Sequence, residues 1–162
     1  MNDVTGKYII MGVSGCGKST IGKKLSDFYK IPFIEGDDFH PSSNVDKMRS
    51  GISLTDEDRI PWLNKLRGEM KKHESCILAC SALKSTYRKL LSQDINVTFI
   101  YLRGTAEVIT ERLNRRLGHF MSPKLLKSQF ETLEVPIDAI QININREPDE
   151  ILSAIIKKID LE

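Results

Sequence analysis

Apolar residues along this chain fall into short runs, separated by stretches with a helical period. Tyr8-Ile9-Ile10-Met11 has the length of a buried strand and stops at Gly12. Ile21, Leu25 and Phe28 then recur at helical spacing until Pro32. Phe33-Ile34 is a second short run. From Pro61 to about Lys72 the pattern predicts a helix with Trp62, Leu63, Leu66 and Met70 on one side. Cys76-Ile77-Leu78-Ala79-Cys80 reads as another buried strand, and Val97-Thr98-Phe99-Ile100-Tyr101-Leu102 as the clearest one, rich in β-branched and aromatic residues. Thr105 can cap a helix with Glu107 in its first turn and Ile109, Leu113 and Leu117 along its stripe. Ala139 to Ile144 alternates like a strand. Pro148, Asp149 and Glu150 open a last helix striped by Ile151, Ile155 and Ile159 and closed by Lys157 and Lys158. Strands alternating with helices predict an α/β fold, a parallel sheet covered on both faces. Ligands of such sheets bind beyond the carboxyl ends of the strands, which directs attention to the loops after Met11, Ile34, Ala79 and Leu102.

Composition narrows the classes. A chain of 162 residues suits one domain, residues 1–162, with no Pro/Gly/Ser-rich linker to divide it. Apolar residues at 40% and charged residues at 28% exclude a disordered chain. A net charge of +2 argues against a nucleic-acid partner, and no apolar stretch approaches a membrane span. The N-terminal residues show no signal pattern, and Cys16, Cys76 and Cys80 form neither a disulfide framework nor a zinc motif. A cytoplasmic location with reduced thiols is the expectation.

The chemistry starts at Gly12-Val13-Ser14-Gly15-Cys16-Gly17-Lys18-Ser19, which fits G-x-x-x-x-G-K-[ST] at every fixed position and sits between an apolar run and an amphipathic stretch. Glycines let successive N–H groups turn inward around a phosphate, and the helix start adds its positive dipole end. Lys18 is placed to reach the β- and γ-phosphates of ATP, and Ser19 to offer its hydroxyl to Mg²⁺. Thr20 continues the cofactor-binding stretch. Cys16 lies among N–H groups, Lys18 and a helix start, which favour thiolate; alkylation in the absence of MgATP is the expectation.

A phosphate loop names a nucleotide and leaves the reaction open. A GTP switch needs Asp-x-x-Gly and Asn-Lys-x-Asp; the former is missing after the loop, and Asn64-Lys65-Leu66-Arg67 fails at its last position. A motor ATPase usually ends an apolar strand in an acid, whereas Cys76 to Cys80 runs into Ser81-Ala82-Leu83-Lys84. Small-molecule kinases remain. Such an enzyme must place an acceptor hydroxyl in line with the γ-phosphate. Asp37, after the second run, is the candidate to accept the hydroxyl proton or to hold the Mg²⁺ water shell. Asp38 and His40 are candidates for binding substrate hydroxyls. Arg49 and Arg59 can clamp a carboxylate or a phosphate, with Asp56 and Asp58 either orienting them or capping the helix. Arg103, Arg112, Arg115, Arg116, Lys124 and Lys127 outnumber Glu107 and Glu111 in one segment, as expected for a lid over ATP phosphates, roughly residues 112–130. Arg116 and then Arg112 are the candidates to meet the phosphates, and His119 to shape the lid.

These motifs together resemble the gluconokinase family. The marks are the phosphate loop with Thr20; Gly36-Asp37-Asp38-Phe39-His40-Pro41 with Asn44, Lys47 and Met48; Leu54-Thr55-Asp56-Glu57-Asp58-Arg59-Ile60-Pro61-Trp62-Leu63; Cys80-Ser81-Ala82-Leu83-Lys84 with Tyr87-Arg88; and Gly118-His119-Phe120-Met121 with Ser128-Gln129-Phe130 and Leu133-Glu134. The resemblance implies an adenylate-kinase-like P-loop NTPase fold with a five-stranded parallel sheet and a mobile lid. It also implies ATP- and Mg²⁺-dependent phosphorylation of D-gluconate at its 6-hydroxyl, and a cytoplasmic homodimer. Lys84 would then stand near the acceptor or the γ-phosphate. Cys16 departs from the usual Ser, and Ile52-Ser53 from the usual Pro-containing turn after Gly51. A shikimate or nucleoside monophosphate kinase of the same fold, or a nucleotide-binding regulator without catalysis, are the other readings.

Overall fold

Five parallel strands lie in the order β2-β3-β1-β4-β5: β1 (Lys7–Met11), β2 (Phe33–Glu35), β3 (Cys76–Ala79), β4 (Val97–Arg103) and β5 (Ile140–Asn143). The structure, a computed structural model, describes residues 4–115 and 123–161. The central strands β1 and β3 read as near-continuous apolar runs because both faces are covered, whereas the edge strand β5 alternates. Tyr8 and Ile10 of β1 enter one core with Ile100 and Leu102 of β4, α1 (Lys18–Tyr29) and α7 (Pro148–Asp160). Ile9 and Met11 enter the other core, with Leu78 of β3, Tyr101 of β4 and α3 (Asp56–Lys71). The two-residue period of a strand thus distributes one sequence run between two cores.

The helices bury most of the stripes their periodicity predicts; Phe28 is half-buried, and Leu117 lies outside the described residues. Ile21 and Leu25 of α1, Ile109 and Leu113 of α5 (Ala106–Arg115), and Ile151, Ile155 and Ile159 of α7 are all buried. Helix α3 begins at Asp56, five residues before the expected Pro61. Thr55 and Asp58 close a capping box, the Asp58 N–H donating to Thr55 Oγ1 at 3.1 Å and the Thr55 N–H to Asp58 Oδ2 at 2.9 Å. That box, with Asp56 and Glu57 at the positive helix end, secures the first turn and lets exposed Pro61 sit in the second. Three further helices stand among the described residues: α2 (Ser42–Arg49), α4 (Ser85–Leu91) and α6 (Pro123–Thr132). Of the expected lid, roughly residues 112–130, residues 116–122 lie outside the described residues, and the described parts are the end of α5 and most of α6.

Candidate active site

The carboxyl ends of β1, β2 and β3 open into a cleft of about 800 Å³. One wall is the loop between β1 and α1. Gly12 starts it at φ 146°, where a Cβ would stand 2.7 Å from Cys16 Sγ and 2.9 Å from the Leu102 carbonyl, so only glycine follows this path. Lys18 arches back over the loop, its Nζ 3.0 Å from both the Gly12 and the Val13 carbonyls. The Ser19 hydroxyl donates to the Glu35 carboxylate at the end of β2. Helix α6 reaches the same loop: the Ser14 N–H donates to Gln129 Oε1 at 2.7 Å, and Gln129 Nε2 donates to Ser14 Oγ at 3.1 Å. Its neighbour Ser128 bonds Ser53 at 2.9 Å, so α6 bridges the two walls.

The opposite wall grows from the turn after β2, Gly36–Phe39. A Cβ on Gly36 would lie 2.4 Å from the Ala79 carbonyl, which keeps the turn pressed against β3. The Trp62 indole N–H donates to the Gly36 carbonyl at 2.8 Å and so ties α3 to this turn. Asp37 emerges with its side chain 82% exposed and lines the cleft. The His40 ring stacks on Trp62, centroids 3.9 Å apart and planes at 17°. Burial pushes His40 below the ordinary histidine value; Asp37 opposes this and Arg59 adds to it.

Arg59 crosses the floor of this wall, donating to the Leu54 carbonyl at 2.8 Å and to the Tyr87 hydroxyl at 3.0 Å. Tyr87 donates to Asp56, which also accepts from Lys84 at 2.9 Å. The Tyr87 and Lys84 bonds hold the Asp56 carboxyl below the usual range. The Lys47 ammonium, 2.7 Å from Asp58, and the Thr55 N–H bring Asp58 down to about 2. Asp56 and Asp58 therefore do both things expected of them: Asp58 caps α3, and Asp56 anchors Tyr87, which carries Arg59.

The cleft gathers Ser14, Gly15, Gly17, Lys18, Ser19, Thr20, Asp37, His40, Arg49 and Arg59. It does not gather all the sequence candidates. Asp38 is exposed and outside it, and Lys84 is outside it in its ion pair with Asp56. Arg112 turns away, donating to the carbonyls of Ile144 and of Arg146, the latter at 3.0 Å, beyond β5. Gly12, Val13 and Cys16 form the buried back of the loop. Cys16 is 0% exposed, which corrects the expectation of ready alkylation: packing closes the thiol off before its ionisation matters. Burial also raises Cys76 to about 11 and Cys80 to about 12. Arg116 and His119 lie outside the described residues. Sequence reasoning gave no role to Glu35 or to Gln129, although both stand in motifs it quoted or adjoined.

Among the described residues no group of three or more His, Cys, Asp or Glu is placed to cage a metal, and no helix is long and apolar enough to cross a membrane. The family model described as shikimate kinase matches residues 14–160. The thermosensitive gluconokinase of Escherichia coli (strain K12) is 47% identical over 149 residues, covering 86% of this chain and 80% of that protein. A gluconokinase of Arabidopsis thaliana is 44% identical over 179 residues, covering 98% of this chain and 95% of that protein. The crystal structure of a gluconokinase from Sinorhizobium meliloti 1021 superposes with a TM-score of 0.91 at 38% identity, covering 96% of this chain and 92% of that one. Likeness at this level along nearly the whole chain, on the fold that frames the cleft, places the protein in the gluconokinase family of shikimate-kinase-like P-loop kinases.

Proposed function

We propose that the protein transfers the γ-phosphoryl group of ATP to the 6-hydroxyl of D-gluconate, giving 6-phospho-D-gluconate and ADP. The observation that carries this reading is the two-sided cleft: a phosphate loop facing a wall with one exposed carboxylate, Asp37, and two arginines, Arg49 and Arg59. Phosphoryl transfer asks the protein mainly for positioning and charge stabilisation. Lys18 supplies the cation at the loop. The Ser19 hydroxyl and the Glu35 carboxylate are hard oxygen ligands side by side, a set that fits Mg²⁺ or its waters. Mg²⁺ would neutralise charge on the phosphates. Asp37 accepts the hydroxyl proton or orders the metal's water shell.

Gluconate is an open-chain polyol with one carboxylate. Arg49 is exposed in the cleft with no side-chain partner among the described residues, which suits it to that carboxylate. Arg59, held by Leu54 and Tyr87, adds a fixed positive charge beside it. Arg116 remains the candidate for the phosphates and His119 for the lid. Lys84 reaches the acceptor only by leaving Asp56. The reading extends to a cytoplasmic homodimer, as the family resemblance implies.

The match to the shikimate kinase family model favours one second reading, shikimate as acceptor, because it too is a hydroxylated carboxylate. A coupled ADP-release assay with MgATP and gluconate, shikimate, AMP or glycerate separates the readings. Gluconate-stimulated release well above the others is expected. Release stimulated by shikimate alone would move the acceptor assignment, and no stimulation by any acceptor would favour a regulator.

A further inference from the structure

Asn44 is buried, 2% exposed. Its carboxamide nitrogen lies 3.0 Å from the Asp58 carbonyl oxygen and 3.1 Å from His40 Nδ1. A backbone carbonyl only accepts, so the atom facing it is the NH₂ group, and the second N–H of that group points at His40. Nδ1 must then present its lone pair, and the ring proton sits on Nε2. Nε2 is the ring atom that faces Asp37, 4.0 Å from Oδ1. The ring is held in this orientation. Its side chain is 3% exposed and stacked on Trp62, and Trp62 is itself fixed by its bond to Gly36. Turning the ring over would put the Cδ2–H where Nδ1 stands and leave the Asn44 N–H without an acceptor.

We propose that His40 is a positioning residue: a neutral imidazole whose Nε2–H is held toward the Asp37 carboxylate, with Asn44 fixing the tautomer. The aim of Asp37 at the acceptor is taken from the proposed function; the tautomer is not. At 4.0 Å the contact is longer than a hydrogen bond, and rotation of the exposed Asp37 side chain closes it. One carboxylate oxygen then faces the N–H, leaving the other for the acceptor hydroxyl or a metal-bound water. The opposite tautomer would turn a lone pair toward the carboxylate and push it away. In this arrangement His40 acts on Asp37 rather than on substrate hydroxyls.

Two substitutions divide the ring's two functions. His40→Gln keeps an N–H donor near the Nε2 position and loses the acceptor for Asn44. His40→Asn keeps an acceptor for Asn44 and loses the donor that reaches Asp37. The expected result is a kcat lowered about tenfold or more in His40→Asn, a clearly smaller loss in His40→Gln, and a gluconate KM within about threefold of wild type in both. Thermal melting should show the opposite order, with His40→Asn the more stable of the two. Equal losses of kcat, a larger loss in His40→Gln, or a rise in gluconate KM at unchanged kcat would overturn the assignment. Long-range ¹H–¹⁵N spectra of the ¹⁵N-histidine-labelled full chain, assigned by the His40→Gln spectrum, should show His40 Nδ1 unprotonated and Nε2 protonated at neutral pH. A protonated Nδ1 would overturn it. If wild type shows no gluconate-dependent turnover, the acceptor reading fails, and the spectrum still decides the tautomer.

Discussion

The two walls of the cleft are made of different material. The phosphate loop is mostly main chain: its shape comes from Gly12, Gly15 and Gly17 at positive φ, and the side chains of Val13 and Cys16 turn back into the core. The acceptor wall is side chain: Asn44 with His40, and Asp56 with Tyr87 and Arg59, are joined by hydrogen bonds between the turn after β2, α2, α3 and α4, and Asp37 stands exposed above them. A main-chain site depends on backbone path and on the few groups that carry charge. A side-chain site depends on each partner, because a buried group left without one costs about 1–3 kcal/mol. The loop should therefore tolerate changes at Cys16 that the acceptor wall would not tolerate at Asn44 or Asp37.

The largest effects belong to the groups that carry charge in either wall. Lys18→Ala removes the cation that arches over the loop, and kcat should fall by about 10²-fold or more. Asp37→Asn should lower kcat by about 10²-fold while nucleotide affinity, measured by calorimetry, stays near wild type, because the change lies on the other wall. Equal losses of nucleotide affinity in both variants would dissolve the distinction between the walls.

Gly36→Ala sharpens it through stability. The new Cβ meets a backbone carbonyl at 2.4 Å, which no side-chain rotation relieves, so a loss of about 1–3 kcal/mol is expected in urea unfolding. Asp58 makes the acceptor wall sensitive to acid. Its carboxyl falls from 3.8 to about 2 on folding, so its contribution is complete above the unfolded value and is lost as pH drops from 3.8 toward 2. Melting temperature should fall less steeply through that window in Asp58→Asn than in wild type. The smallest effect is expected at Cys16. Cys16→Ser should keep kcat within about threefold, and brief alkylation of wild type should leave Cys16 unlabelled with or without MgATP.

The same difference of material decided what the sequence could show. A main-chain loop imposes glycine and lysine at fixed spacing, so the phosphate site was legible from Gly12 to Ser19 without reference to any other part of the chain. Strands buried on both faces and helices with broad stripes were legible for the same reason: one periodic pattern sets each. Helix α2 buries only Asn44, and α4 only Tyr87 and Leu91, so neither leaves a stripe to read. Pro61 masked the true start of α3, although Thr55-Asp56-Glu57-Asp58 carried the capping signal. Glu35 and Gln129 bond partners distant in sequence, Ser19 and Ser14, and no local spacing announces such a pair. Arg112 shows the converse: a cation in a basic segment that the fold uses on the carbonyls beyond β5.

The two walls together are expected to pass a phosphoryl group from ATP to the terminal hydroxyl of gluconate. The most direct test is ³¹P NMR of the product formed from MgATP and gluconate by the pure protein. A new phosphomonoester resonance, split into a triplet by the CH₂ protons at carbon 6 and growing in step with ADP, is the expected result. A doublet, from phosphate on a secondary hydroxyl, or inorganic phosphate as the sole product, would contradict it.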